Sequence, residues 1–250
     1  MDLSFYRKIN NIQPLHNNYR EQYIYNTKNV INSKFSQSPY YQTIKVEGEI
    51  VDVRVIPDKD YKSNKPYEEK KILFKPDFIT DRGNYVELNN QQTQQEEIWL
   101  IMFFETDIMY PKAYIRKCNK VIECNKEKYP CVITSNIALT TNVEENKSLV
   151  LPNNYLNCYI KATTDTMQII ENDRFIIDNF VYEVQNIDNI SNVDDNIGII
   201  QMNLKKVPTN NKEEQIINKN NDEVAKEKND ITVDIESNTQ EIKNVLEERW

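Results

Sequence analysis

Four cysteines, one histidine and adjacent acid pairs such as Glu68/Glu69 are the residues of this chain whose types could support chemistry. A zinc site needs thiolates or imidazoles at short spacing. Cys118, Cys124, Cys131 and Cys158 are separated by five, six and 26 residues, and His16 is the only histidine. None of these gaps is the two-to-four-residue knuckle that zinc favours, so the cysteines read as free thiols of a reducing compartment, and no metal site is expected. General acid–base work needs a carboxyl pair in apolar surroundings. Glu68/Glu69, Glu96/Glu97 and Asp194/Asp195 lie in polar runs and read as solvated. A nucleophilic triad lacks its base, because His16 falls in a polar lead-in. Glycines at positions 48, 83 and 198 alone exclude a glycine-rich phosphate loop. The expectation is no catalytic residue, no cofactor, and a structural or binding protein rather than an enzyme.

Charge narrows the partners. The net charge is −8. Splitting the chain at Pro208 places −5 after it and −3 before it. A duplex-binding surface needs a basic stripe to release counterions, and neither part supplies an excess. The 15 tyrosines and 8 phenylalanines could stack on bases. Without basic partners they read as core and interface side chains. No apolar run approaches the ~20 residues of a membrane helix. The opening "MDLSFYRKINN" lacks an apolar signal core, so neither a membrane partner nor secretion is expected.

The elements divide the chain into four parts. Residues 1–40 read as a polar arm and a helix. Asn17 or Asn18 can cap that helix, Glu21 sits in its first turn, and Pro39 stops it. Tyr23, Ile24, Ile31 and Phe35 recur at helical spacing, which predicts a face packed on the β body or on an adjacent subunit. Residues 41–207 then switch to period two. They predict a mainly β body, a small barrel or sandwich, with two related barrels as an alternative. "TIKVEGEIVDVRVIP" changes face near Gly48 and again near Val51 and so needs a turn or a bulge. Residues 58–71 and 89–97 read as long polar loops suited to contacts with a neighbour. Residues 208–235 read as a polar linker. Residues 236–250 read as an amphipathic helix, with Ser237 and Gln240 as a capping box. Its face, Ile242, Val245, Leu246 and Trp250, docks on its own barrel or on a neighbouring subunit.

Two hairpins in the body look alike. Residues 81–104 and 173–187 each begin with an Asp-Arg pair, run through a short strand and a polar turn, and return as an apolar strand. Aligning the Asp-Arg pairs sets Gly83 against Phe175 and Trp99 against Phe180 or Tyr182. A duplication and two independent hairpins both fit this pattern.

The run "FKPDFITDRGNYVEL…WLIMFFETDIMYPKAYIRKCNKVIE…YPCVI", followed by "ENDRFIIDNFVYEVQNIDNIS…NIGIIQMNLKKV", resembles head–tail connectors of tailed bacteriophages. These are the adaptor or head-closure (stopper) proteins of the phage neck. The resemblance covers residues 17–207. It rests on Asp173, Arg174, Ile176, Tyr182, Val184, Ile187, Asp188, Gly198, Ile199, Leu204 and Lys205. One departure is "DNF" at 178–180 in place of a turn glycine, with Asn179 as the residue able to take positive φ. The resemblance implies a small β-barrel that forms a ring between portal and tail, helps retain packaged DNA and joins head to tail. The implied partners are a portal or adaptor ring, tail proteins and copies of the chain itself, with channel DNA only as a non-specific neighbour. The implied location is the virion neck, after assembly in the bacterial host cytoplasm. A tail-completion or other minor virion protein is the first alternative, and an oligonucleotide-binding β-barrel the second.

Overall fold

The computed structural model describes residues 18–57, 69–89, 95–135, 155–211 and 213–217. Helix α1 spans Tyr19–Lys34. Asn18 caps it, its side-chain oxygen accepting the Arg20 N–H at 3.0 Å. Glu21 in the first turn and Lys34 in the last complement the helix dipole. A 3-10 turn, Phe35–Gln37, follows. Ser38 is then extended, because the ring of Pro39 crowds helical backbone out of the preceding residue.

Six strands form a closed antiparallel barrel: β1 (Tyr41–Val46), β2 (Glu49–Pro57), β3 (Glu69–Phe74), β4 (Tyr85–Asn89), β5 (Glu96–Glu105) and β6 (Lys112–Lys117). Their order is β1-β2-β3-β6-β5-β4, and β4 returns to pair with β1. The next strands are β7 (Lys120–Cys124), β8 (Glu127–Ser135), β9 (Tyr155–Lys161), β10 (Arg174–Ile177), β11 (Phe180–Asp188), β12 (Val193–Asp194) and β13 (Ile197–Val207). They form a second barrel-like sheet in the order β7-β8-β9-β13-β11-β10, with β12 a short partner of β13. The body is therefore mainly β and contains one closed barrel and one barrel-like sheet, the second barrel.

With β12 set aside, the two strand orders are the same: first, second, third, sixth, fifth, fourth. The registers agree as well. Each first hairpin turns on two residues of positive φ, Glu47 (50°) and Gly48 (82°) in one, Asn125 (53°) and Lys126 (71°) in the other. That is the turn geometry that suits strand twist. Superposing these turns sets Val53 on Cys131 and then, through the ladders, Phe74 on Ile160 and Ile115 on Leu204. Both fifth strands slip register at the same place, between Ile101 and Phe103 in β5 and between Val184 and Asn186 in β11. The hydrogen bonds that extend each fourth strand also coincide. The Gly83 N–H donates to Ile101 at 2.8 Å, and the Ile101 N–H to Asn84 at 3.0 Å. The Asn172 N–H donates to Val184 at 2.8 Å, and the Val184 N–H to Asp173 at 2.9 Å. Every residue of the first core has its register counterpart in or packed against the second core. Only Ile44 and Ile122 are the same amino acid. The chain is one six-stranded unit built twice.

This equivalence corrects the alignment drawn from the Asp-Arg pairs. Gly83 lies on Asn172 rather than on Phe175, and both have positive φ. The two Asp-Arg pairs are three residues out of step, while Trp99 does fall on Tyr182. In the β10–β11 turn the positive φ belongs to Asp178, at 55°, rather than to Asn179. Strand β3 begins at Glu69, inside the stretch read as a loop. Its charged residues find partners: Glu69 pairs with Arg116 at 2.6 Å, and the Lys70 ammonium stands 4.4 Å over the Trp99 ring.

Within the stretch read as linker, a helical turn occupies residues 213–217. The Glu213 N–H donates to the Asn210 side chain at 3.0 Å, and the Asn210 N–H to the Glu213 carboxylate at 2.7 Å. This reciprocal pair is a capping box. Ile242, Val245, Leu246 and Trp250, with the helix expected over 236–250, lie outside the described residues. So does most of the loops 58–71 and 89–97.

Candidate interaction surfaces

Only Cys118 and Asn119 connect β6 to β7, so packing must set how the barrels sit. Leu100 from β5, Val132 from β8 and Ile199 from β13 are buried together, with Tyr85, Met102, Cys118 and Tyr159 around them. Polar contacts rim this apolar patch. The Tyr85 hydroxyl donates to the Pro130 carbonyl at 2.7 Å. The Lys161 ammonium meets the Glu47 carboxylate at 2.6 Å and stands 5.6 Å over the Tyr85 ring. Arg82 donates to the Asn192 side-chain oxygen at 2.9 Å. Burial pushes the Tyr85 phenol well above its ordinary value, so it remains a donor at neutral pH.

Close backbone approach explains two of the three glycines. A Cβ on Gly83 would lie 1.9 Å from the Gly198 carbonyl oxygen. One on Gly198 would lie 2.1 Å from the Asn192 carbonyl oxygen. The first approach brings the backbones of the two barrels together and the second closes the β12–β13 hairpin, and a side chain would prevent either. In so glycine-poor a chain, a glycine outside an obvious turn is the sequence signal for such close approach. Tyr85, Leu100, Met102 and Arg54 carried no comparable signal.

The front helix divides the face expected of it. Ile31 and Phe35 are buried against the first barrel, and Ile24 is half-buried. Phe35 is fully enclosed. Arg54 donates to the Phe35 carbonyl at 3.1 Å and the Lys34 carbonyl at 2.9 Å, and its guanidinium lies 4.5 Å over the Phe35 ring. The Tyr41 ring meets Phe35 edge-on at 6.4 Å. Lys28 pairs with Asp77 as a second tether. Tyr23 is 71% exposed instead. With Tyr19 at 90% and Val30 at 53% it forms an outward stripe at helical spacing.

Cys118 and Cys158 sit where thiols are inert. Burial pushes the Cys118 thiol up to about 12. A hydrogen bond with Cys131, together with burial, raises that of Cys158. Both are protonated at neutral pH, and the nucleophile is the thiolate. Among the described residues, no group of three or more His, Cys, Asp or Glu is placed to hold a metal, and no helix is long and apolar enough to cross a membrane. A cleft of about 260 Å³ opens between β3, β6 and β9, lined by Glu69, Lys70, Met102, Tyr114, Arg116 and Tyr159. Arg116 is paired with Glu69 and lies 5.9 Å from the Tyr159 ring. The cleft thus presents aromatic walls and a charge already neutralised.

The fold defines a tandem β-barrel protein with an outward apolar stripe on its front helix. The family model of the YomX C-terminal domain matches residues 77–205, more than half of the sequence, and the chain belongs to that family. The family is phage-associated, YomX being a protein of the Bacillus phage SPbeta region. The match begins in the β3–β4 connection, so it takes in β4–β6 of the first barrel and nearly all of the second. No curated protein and no solved structure matches the chain.

Proposed function

We propose that this chain is a structural protein of the phage neck. Copies form a ring between portal and tail, help retain the packaged DNA, and join head to tail; the role is assembly rather than catalysis. Membership in a phage-associated family and the resemblance to neck connectors support the reading. The observation that carries it is the outward stripe Tyr19–Tyr23–Val30, on a helix whose opposite side is already fastened to the barrel by Ile31 and Phe35. Aromatic side chains held in water on a rigid mount suit a protein partner. A closed ring uses head-to-tail contacts that a template can orient, so the free chain is a monomer in dilute solution and assembles on the portal.

The test is phage complementation with Tyr19→Asp/Tyr23→Asp. Both side chains are exposed, so the unfolding midpoint should stay at the wild-type value. The wild-type chain should co-fractionate with portal-bearing heads, and the double variant should not. Association with isolated tail tubes would move the role to tail completion. A stable two-fold dimer, or absence from particles, would overturn the neck reading. Salt-sensitive binding of oligonucleotides by the wild type would favour a nucleic-acid barrel instead.

A further inference from the structure

Because the two barrels are the same unit in the same register, the faces that meet at the junction can be located a second time at the outer ends of the pair. The second barrel offers the junction Val132, Pro130, Tyr159 and Lys161. The ladders place these on Arg54, Asp52, Leu73 and Lys75 of the first barrel. That face of the first barrel is covered by Phe35. Lys161 stands 5.6 Å over the Tyr85 ring, and its counterpart Lys75 stands 5.8 Å over the Phe35 ring. Lys161 is neutralised by Glu47, and Lys75 by Asp52 at 2.5 Å. Phe35 therefore occupies on the first barrel the place that Tyr85 occupies on the second.

The other end is closed differently. The first barrel docks with Tyr85, Leu100 and Met102. Their counterparts on the second barrel are Arg174, Glu183 and Gln185. An apolar patch has become a hydrogen-bonded polar one. Arg174 reaches Glu183 at 3.4 Å, and Gln185 donates to Glu183 at 2.9 Å. Arg174 also binds Glu213 at 3.1 Å, which brings the helical turn at 213–217 onto this face.

We propose that the chain is a two-unit head-to-tail array stopped at both ends. The α1–Phe35 segment plugs the docking socket of the first barrel. Polar replacement and the turn at 213–217 disable the docking face of the second. Repeat arrays need ends of this kind, because an open heterologous face adds units without limit. The partner that the socket fits is a second copy of this chain, and the fold as built refuses it. Copies in any ring must therefore meet through other surfaces, and the inference holds whether or not the chain sits in a phage neck.

The test restores the docking face and removes the plug in the full chain. Arg174→Tyr/Glu183→Leu/Gln185→Met/Asn125→Glu rebuilds the first barrel's face on the second, since Glu47 falls on Asn125. Phe35→Ala opens the socket. Sedimentation velocity should show monomers for the wild type, for Phe35→Ala and for the graft alone. The combination should show a concentration-dependent ladder of oligomers. Carbodiimide should then join position 125 of one chain to Lys75 of the next. A monomeric combination, or oligomers joined elsewhere, would overturn the proposal. Phe35→Tyr keeps it falsifiable if the combination does not fold. The equivalent place already accepts Tyr85, so this variant should keep the wild-type unfolding midpoint. A fall as large as that of Phe35→Ala would sink the equivalence.

Discussion

The first barrel closes and the second does not. In the first, β4 reaches β1 and pairs Lys45 with Glu87 and Val46 with Val86. Lys45 bridges to Glu87 at 2.8 Å and Glu96 at 3.1 Å across the same seam. In the second, β7 and β10 lie side by side without a ladder, tied among the described residues by Lys120 and Asp178. Yet both enclose a buried apolar core with matching positions. The barrel is thus specified by which residues point inward rather than by completing the ring of hydrogen bonds. The seam is where the two units differ in backbone pairing.

The comparison can be broken most forcefully at its glycine. Gly83→Val should cost about 3–5 kcal/mol or prevent folding, since it combines a side chain at φ 89° with a backbone clash. At the equivalent place Asn172→Gly should change stability by less than about 1 kcal/mol. Urea unfolding of both variants decides this. Equal losses would mean that the clash at the junction is not what constrains position 83.

The cores should differ next. Trp99 is fully buried, and Trp99→Ala should cost about 3–5 kcal/mol. Tyr182, its counterpart, is only partly buried, so Tyr182→Ala should cost less. Chemical denaturation checks the order, and a larger loss at Tyr182 would contradict it. Smaller still is the seam itself. The amides of β10 that face β7 should exchange with solvent faster than those of β4 that face β1. Lys120→Ala should widen that gap with about 0.2–1 kcal/mol lost in stability. Hydrogen exchange resolved by residue reads both.

Acid should affect the two units alike. The backbone N–H groups of Tyr110 and Met109 hold the Asp107 carboxyl below the ordinary carboxylate value. The N–H and hydroxyl of Ser191, with the Ile190 N–H, do the same for Asp188. Each side chain organises the loop after its fifth strand. A lowered folded value means the stabilisation is present above the unfolded value of about 3.9 and is lost as pH falls through the folded one. Chemical shifts should therefore show both loops loosening together below about pH 4. Asp107→Asn and Asp188→Asn should each remove one loop's share of that acid response.

Much of this architecture was readable from spacing. The capped helix, the turn near Gly48 and the alternating strands all follow from periodicity that burial enforces. The repeat was only half legible. Core positions keep their apolar character but not their identity, as Val53/Cys131 and Ala113/Met202 show. An asparagine can hold the positive φ that its counterpart Gly83 holds, so the glycine gave no alignment. The visible Asp-Arg pairs are coincidental and misplace the alignment by three residues. The boundary between barrels was hidden too, because the inward face shifts from Ala113 and Ile115 to Ile122 with no glycine or proline between them to mark the break. Nor could spacing separate the anchoring side of α1, Ile31 and Phe35, from its outward side. Tyr23 and Ile24 are adjacent, and the difference between them depends on where the barrel lies.

The short link between the barrels has a consequence for synthesis. A chain emerging from a ribosome completes its first barrel at Lys117. One side of that barrel is already under Phe35, which emerged earlier. The other side, Tyr85 with Leu100 and Met102, is fully covered only when β13 adds Ile199 to Val132 and Tyr159. At about 5–20 residues per second, that delay is roughly 4–16 s. For those seconds the nascent chain carries a finished domain with a bare adhesive patch, long enough for two neighbouring ribosomes on one message to bring such patches together. Slower translation across the second barrel should then raise the share of the product that aggregates, at unchanged stability of the finished protein.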